Sequence, residues 1–447
     1  MTSRIRSLTV VFALALVCCA APAGAKTYEV TRKSDPAPGK CKPNDCSLRE
    51  AVLAANAHAG ADAIVLPDRQ GAYNLTRSNG NPVTSESAGL LGDLDATGPL
   101  AIRHPGRGVA TIDANGHDRV IEIFAGKLRL KKLKLRGGEA LYTPGEEPRL
   151  RRGTSTHGGA VFAHGSARIA ISRSVIARNS AERGAVEDEF PPGFGTTVKR
   201  SRIVNNNASG LNGNVNLKRS TVSGNDGIGV ISYSGIKVDR STIAGNGRSG
   251  IYTSNGGRIT NTTISKNESS GIEHTGGTDP LRVTNTTIAR NVGIYGGGIF
   301  AADGTILLNS VTIADNSVAP GSFGDGGGIL VGSDGSVGII NTILVRNKHK
   351  GVLDDCVNDF GGNFDSDGGN LITSEGSCTS FEPGFGDYLR SNPKLAAQLK
   401  RNGGPTQTLV LKRGSPAIGK AVKAAAPNRD QRGRKRDNKP DIGAFER

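Results

Sequence analysis

One pattern recurs eight times between Ile169 and Asn347: an alternating apolar strand, a polar pair, Ser or Thr, a β-branched residue two positions later, and Asn three after that. Arg240-Ser241-Thr242-Ile243-Ala244-Gly245-Asn246 and Asn261-Thr262-Thr263-Ile264-Ser265-Lys266-Asn267 are two copies. The Asn residues are Asn179, Asn206, Asn225, Asn246, Asn267, Asn291, Asn316 and Asn347, at steps of 27, 19, 21, 21, 24, 25 and 31. A period of roughly 20 to 30 residues specifies a solenoid, because one such unit cannot bury its apolar face alone and must stack on copies of itself.

Most of these Asn residues are followed by a Gly-aliphatic pair, as in Gly210-Leu211, Gly229-Val230, Gly250-Ile251 and Gly271-Ile272, so each coil holds two or three short β segments. A leucine-rich horseshoe has a similar period, but its fixed Leu positions are absent and β-branched residues fill the inward columns. Stacked short strands with Gly/Asn turns predict an all-β, right-handed, single-stranded parallel β-helix. Identical Asn and Ser/Thr side chains at one corner bond to the backbone or to their copies, so the Asn column is expected to be structural.

An open solenoid end exposes apolar cross-section and strand edges, so it needs a cover. Ser47-Leu48-Arg49-Glu50 is a capping box, and Leu48, Ala51, Val52 and Ala55 fall on one helical face before Gly60. These residues predict an amphipathic helix over 46–58 that plugs the first coil, pinned by a Cys41–Cys46 link.

Residues 1–25 carry Arg4 and Arg6, an apolar run from Leu8 to Ala21, then Ala23-Gly24-Ala25, the pattern of a secretory signal peptide. A mature start near Lys26 leaves Cys41, Cys46, Cys356 and Cys378, an even set in an exported chain. Closeness in sequence pairs Cys41 with Cys46 and Cys356 with Cys378; no His lies at ligand spacing to favour a metal site. No later apolar stretch approaches the roughly 20 residues of a membrane-spanning helix. The formal charge of +16 falls to +14 without Arg4 and Arg6, so the surface attracts polyanions. Export favours acidic polysaccharide or cell-envelope glycan as the partner over nucleic acid, with a monomer expected and residence outside the cell or on its surface. Four regions follow: signal peptide 1–25, cap region 26–100, β-helix repeats 101–350, and C-terminal coils and loops 351–447.

Cys46-Ser47-Leu48-Arg49-Glu50-Ala51 resembles the defining hexapeptide of the CSLREA domain of exported bacterial β-helix proteins, and Gly92-Asp93-Leu94-Asp95 and Ile112-Asp113-Ala114-Asn115-Gly116 resemble segments that follow it. Asn402 to Thr408, Gly414 to Ile418, Asp430 to Gly433 and Asp441 to Glu446 are similar to the end of the choice-of-anchor Q domain. The resemblance implies a pectin-lyase-like fold and an exported or surface-associated life, and little chemistry. Members often continue into a sorting tail or anchor; Glu446 is followed here by a single residue, so release or non-covalent retention is expected.

Fold does not settle function. Aligning coils on the Gly-aliphatic pair gives an outward column of Phe162, Glu187, Asn212, Ile231, Tyr252, Glu273, Phe300 and Leu330, in which Tyr252, Glu273 and Phe300 are candidate ligand contacts. Glu187 and Glu273, four coils apart, are separated by about 19 Å, beyond the roughly 5 to 9.5 Å of a glycosidase couple. At the next turn Glu273-His274, Asp303-Gly304 and Asp334-Gly335 come from consecutive coils. Here His274, Asp303 and Asp334 are the candidate catalytic set, with Asp303 and Asp334 as a candidate Ca²⁺ site; ordinary Asp-Gly turn chemistry is the plainer alternative. No cofactor is required.

Arg173, Arg200, Arg219 and Arg240 recur in one column of successive coils, with Lys199 and Lys218 beside two of them, before Asn261 and Asn285 take over. Such a ladder is a track for a polyanion or a solvated face. Asn363 to Gly368 resembles the opening of a Ca²⁺ loop but lacks Glu at the twelfth position, where Ser374 stands. Asp354-Asp355 is expected as an exposed acidic pair. Polygalacturonases of this fold carry Asn-Thr-Asp and Gly-His-Gly; here Asn261-Thr262-Thr263 departs from the first and the second is missing. With no Trp and 4% aromatic residues, a long sugar-stacking platform is not expected. The leading expectation is therefore polyanionic-glycan binding without an established catalytic site, with a polysaccharide lyase or glycoside hydrolase for acidic, pectin-like glycans as the rival and a structural spacer or adhesin as the third reading.

Overall fold

The computed structural model describes residues 24–68, 71–78, 89–140, 156–189, 193–322, 324–358, 361–374 and 383–447. The chain winds as a right-handed parallel β-helix. A representative coil holds three strands, Ile251–Thr253, Gly257–Thr260 and Thr263–Ser265. Each pairs in parallel with the equivalent strands one coil before and after. The third segments stack into one sheet from Tyr73–Asn74 to Tyr388–Leu389, and the first and second segments share a larger one. Alternation sends Ile251, Ile259 and Ile264 inward, where all are fully buried on Ile272, Val283 and Ile288 of the next coil. Each such side chain contributes roughly 1.5–3 kcal/mol by leaving water, and its branched Cβ suits the pleat.

Two polar ladders hold the corners. Ser174, Ser201, Ser220, Ser241 and Thr262 are buried, and the hydroxyl oxygen of each later member accepts the backbone N–H of the member before it. The Asn ladder runs beside it. Asn246 Nδ2 donates to Asn267 Oδ1 at 2.9 Å and to Val222 O at 3.4 Å, while its own Oδ1 accepts from Asn225 N and Nδ2. The same pattern carries from Asn179 to Asn347, where Asp355 Oδ1 accepts the last amide at 2.8 Å. Asp354 and Asp355 are thus not an exposed pair: both are buried, Asp355 closing the ladder and Asp354 accepting Gly326 N. Asn246→Ala is expected to lower stability by about 2 kcal/mol, since it strands buried donors and a carbonyl; thermal unfolding followed by circular dichroism checks this.

The N-terminal helix spans Leu48–Asn56, two residues shorter than expected at each end, with Ser47 as N-cap and both capping-box bonds made through Glu50. Its buried face includes Leu48, Ala51, Val52 and Ala55. The Cys41–Cys46 disulfide is present. Cys356 is buried and disulfide-bonded, and Cys378 lies outside the described residues, as do residues 1–23 of the expected signal peptide. Among the described residues no helix is long and apolar enough to cross a membrane.

At the other end, residues 395–447 fold back over the outer face of the third-segment sheet. Thr263 Oγ1 donates to Gln407 O, Thr287 Oγ1 to Gln431 Oε1, and Thr312 Oγ1 accepts Ala444 N. Beneath this strap Ala289, Ala314, Ile343, Val345 and Leu371 pack with Leu409, Leu411, Ile442 and Phe445 as a second apolar cluster. Earlier coils, with Arg202, Thr221 and Thr242 on that face, are not covered.

Candidate functional site

The arginine ladder occupies a single backbone position. Arg173, Arg200, Arg219 and Arg240 all sit in the left-handed region, with φ of 52°, 50°, 50° and 47°. Each spends its N–H on a carbonyl of the next coil. The turn explains why this column is regular; it does not explain arginine, because Asn tolerates that conformation better. Asn does appear further on, at Asn261, Asn285 and Asn341, where the C-terminal strap lies across the corner. There Asn285 Nδ2 donates to Arg429 O and Asn341 Nδ2 to Val422 O. In the uncovered coils Arg173, Arg200 and Arg219, with Lys131, Lys199 and Lys218 from the preceding strand ends, line a groove of about 450 Å³ whose remaining wall is Ser172. Asp239 ends the run, its Oδ2 lying 3.6 Å from Arg240 and 4.0 Å from Lys218.

The expected turn is arranged differently. Asp303 and Asp334 are register neighbours and both are exposed. His274 instead pairs with Ala301, and a bulge then sets Thr275 opposite Asp303. Strand alternation from outward Glu273 therefore turns His274 inward. It is fully buried, its Nδ1 lies 3.1 Å from Thr253 O, and burial lowers its pKa. Both ring nitrogens of His274 are thus buried, and neither reaches the outer surface. Asp303 Oδ1 accepts Gly304 N and Asp334 Oδ2 accepts Ser333 Oγ. Neither belongs to a group of three metal-ligating side chains among the described residues. Asn363 Nδ2 is bonded to Asp365 in the loop that resembled a Ca²⁺ site.

The outward column is realised residue for residue and extends upward to Glu122 and Asp95. Much of it is covered by loops: Phe162, Glu187 and Asn212 are almost completely buried. Glu187 Oε1 accepts Asn212 Nδ2 at 2.9 Å, and its Oε2 accepts Gly158 N and Gly184 N at 3.3 Å. His157 Nδ1 lies 3.5 Å and Arg183 4.0 Å from the carboxylate. Burial pushes Glu187 up to about 7, against the pull of Arg183, and burial aided by Arg183 brings His157 down to about 4. Asn212 and Arg183 also wall a groove of about 760 Å³ shared with Ser209, Ile231, Tyr233 and Arg248. The outward position of Glu187 was legible in the sequence, whereas its imidazole and guanidinium neighbours come from the loop at 157 and the bulged start of the strand Ser180–Asp188 and carry no repeat signal.

Toward the N-terminus Asp93, Asp95 and Glu122 bring three buried carboxylates together. Arg119 pairs with Glu122 and lies 3.7 Å from Asp93. Burial, reinforced by Asp118, holds Asp93 well above the usual carboxylate range. His164 bonds Glu122 at 2.8 Å and stacks on Phe124. The arginine supplies the countercharge, so this is a paired polar cluster at the N-terminal end of the column.

Comparison with known proteins agrees with the winding. Residues 150–348 match the model of the right-handed beta helix region. The chain carries a right-handed β-helix. No curated protein matches the sequence. Among solved structures, a pectate lyase, Pel9A, is 15% identical over 95% of this chain and 97% of its own, with a TM-score of 0.45. The A-module of the mannuronan C-5 epimerase AlgE6 of Azotobacter vinelandii is 13% identical over 75% and 99%, with a TM-score of 0.35. The Streptococcus pneumoniae surface protein and adhesin PfbA is 11% identical over 81% and 96%, with a TM-score of 0.37.

Proposed function

We propose that this chain is an exported or surface-associated β-helix that binds polyanionic glycan along its basic edge. The observation that carries the reading is the groove lined by Lys131, Arg173, Lys199, Arg200, Lys218 and Arg219, in which no wall is acidic. Guanidinium forks repeated at the coil spacing of about 4.8 Å pair with carboxylates of an extended chain. Export rests on the signal-like first 25 residues, the Cys41–Cys46 disulfide and the resemblance to CSLREA and choice-of-anchor Q proteins.

Polygalacturonate and alginate immobilised on a column test the reading. Retention is expected at low ionic strength, weakening as salt screens the charges, and falling roughly tenfold in the Arg200→Ala/Arg219→Ala double variant. Undiminished retention in that variant overturns the assignment of this edge. Release of unsaturated or reducing ends from either polymer replaces binding with catalysis.

A further inference from the structure

The aromatic residues of the outward column are paired, which the low aromatic content did not lead one to expect. Tyr252 packs edge-on against Tyr233 of the preceding coil, with ring centroids 5.8 Å apart. Phe300 packs against Tyr295 at 5.4 Å and an interplanar angle of 30°. Tyr233 and Tyr295 are 44% and 48% exposed, so each pair presents ring surface to solvent. Tyr252 and Phe300 are two coils apart in register, about 9.6 Å, the reach of two pyranose rings. Between them lies half-buried Glu273, one oxygen of which accepts Ser249 Oγ at 2.9 Å.

A second observation comes from the groove at the Tyr233 end. Asn212 lines it, is 3% exposed, and has its amide turned by the bond from Nδ2 to Glu187. Its Oδ1 is buried and has no hydrogen-bond partner. An orphaned buried acceptor costs about 1–3 kcal/mol, and a ligand hydroxyl supplies the missing donor. From Asn212 to Phe300 the column spans four coil steps, about 19 Å.

We infer that the outer face from Asn212 through Tyr252 to Phe300 is a saccharide-binding groove for a neutral pyranose chain. Apolar sugar faces stack on the Tyr233–Tyr252 and Tyr295–Phe300 pairs, and hydroxyls donate to Asn212 Oδ1 and Glu273. A few oriented polar groups among aromatic walls is the usual make-up of a small-ligand groove. Neutral sugar is favoured over polyuronate because Glu273 stands between the platforms, while in the adjoining groove Glu182 and Asp226 balance Arg183 and Arg248. This inference does not rest on the basic edge. In each coil the platform strand is separated from the left-handed corner by a turn and a further strand, as in Ile251–Thr253, Gly257–Thr260 and Asn261.

Calorimetric titration of the full chain with cellohexaose, xylohexaose and mannohexaose tests it, with hexagalacturonate as the charged control. At least one neutral hexaose is expected to bind. Tyr252→Ala and Tyr295→Ala should each weaken it by roughly tenfold, and Tyr252→Phe should keep affinity because the ring remains. The Arg200→Ala/Arg219→Ala variant should leave neutral binding unchanged while losing polyuronate, which separates failure of this groove from failure of the basic edge. Binding of none of the three hexaoses overturns the inference, as does binding indifferent to both alanine variants. Sedimentation showing a dimer that Tyr295→Ala dissolves assigns the face to a second copy instead.

Discussion

Arg49→Ala is expected to undock the N-terminal helix and to cost the N-terminal coils about 4 kcal/mol, within the range measured when one partner of a buried ion pair is removed. The Arg49 side chain is essentially fully buried. Its Nε and one terminal nitrogen grip the two oxygens of Asp35 at 2.9 and 3.0 Å. The remaining hydrogens reach Gly89 O, Leu91 O, Gly92 O and Asp93 O. One side chain thus joins the cap helix, the strand-leading loop at Asp35 and the Gly92-Asp93-Leu94-Asp95 segment. Alanine leaves Asp35 a buried carboxylate without its countercharge and four carbonyls short of a donor. Arg49→Lys should recover little, because an ammonium cannot make the bidentate bond. Hydrogen exchange is the fitting readout, since coils of a solenoid open locally. Protection should fall in the strands Asp62–Val65 and Leu94–Ala96 and stay unchanged near Ile264.

The second large effect is a pH dependence centred on Glu187. Its carboxyl titrates near 7 in the fold against an ordinary 4.5, so the folded chain keeps a proton that the unfolded chain gives up. Stability associated with this group is therefore full below about pH 4.5 and is lost as the pH rises toward 7. At 1.36 kcal/mol per unit the loss approaches about 3 kcal/mol by pH 8. Glu187→Gln keeps an acceptor for Gly158 N and Gly184 N but carries no charge to bury. Relative to the unaltered protein it should be near neutral at pH 4 and about 3 kcal/mol more stable at pH 8, by denaturant unfolding at the two pH values. His157 works in the opposite sense: its pKa is lowered to about 4, so its contribution grows as the pH climbs from 4 toward its ordinary 6.5. In the Gln variant that rise should stand unopposed. A parallel pH profile in variant and parent would mean that Glu187 is ionised throughout.

The repeat made much of this molecule legible, and the reasons are local. Asn246 and Ser241 sit at corners where one backbone geometry demands one side-chain chemistry, so identity at a fixed spacing betrayed both ladders. The column from Phe162 to Leu330 followed from strict alternation after a Gly-aliphatic pair. Carried one residue further, the same alternation turns His274 inward beside outward Glu273, and the single bulged residue after Ala301 then sets Asp303 opposite Thr275 instead of His274. Asp355 was misplaced for a related reason: it stands where an Asn would and carries no repeat signature, yet it ends the Asn ladder.

The sequence by itself determined the solenoid, its period, its corner ladders and its N-terminal plug, since each depends on contacts between residues close in sequence or one coil apart. Only the tertiary structure decided which faces remain open. The strap from 395 to 447 covers the later coils of one sheet through bonds such as Thr287 to Gln431, 144 residues away, and leaves the arginine corners of earlier coils bare. The loop at 157 and the bulged strand at 183 bring His157 and Arg183 to buried Glu187, and Tyr233 of one coil meets Tyr252 of the next. Burial and side-chain pairing of this kind arise from what the coils place in space around a residue, and the period of the repeat carries no record of them.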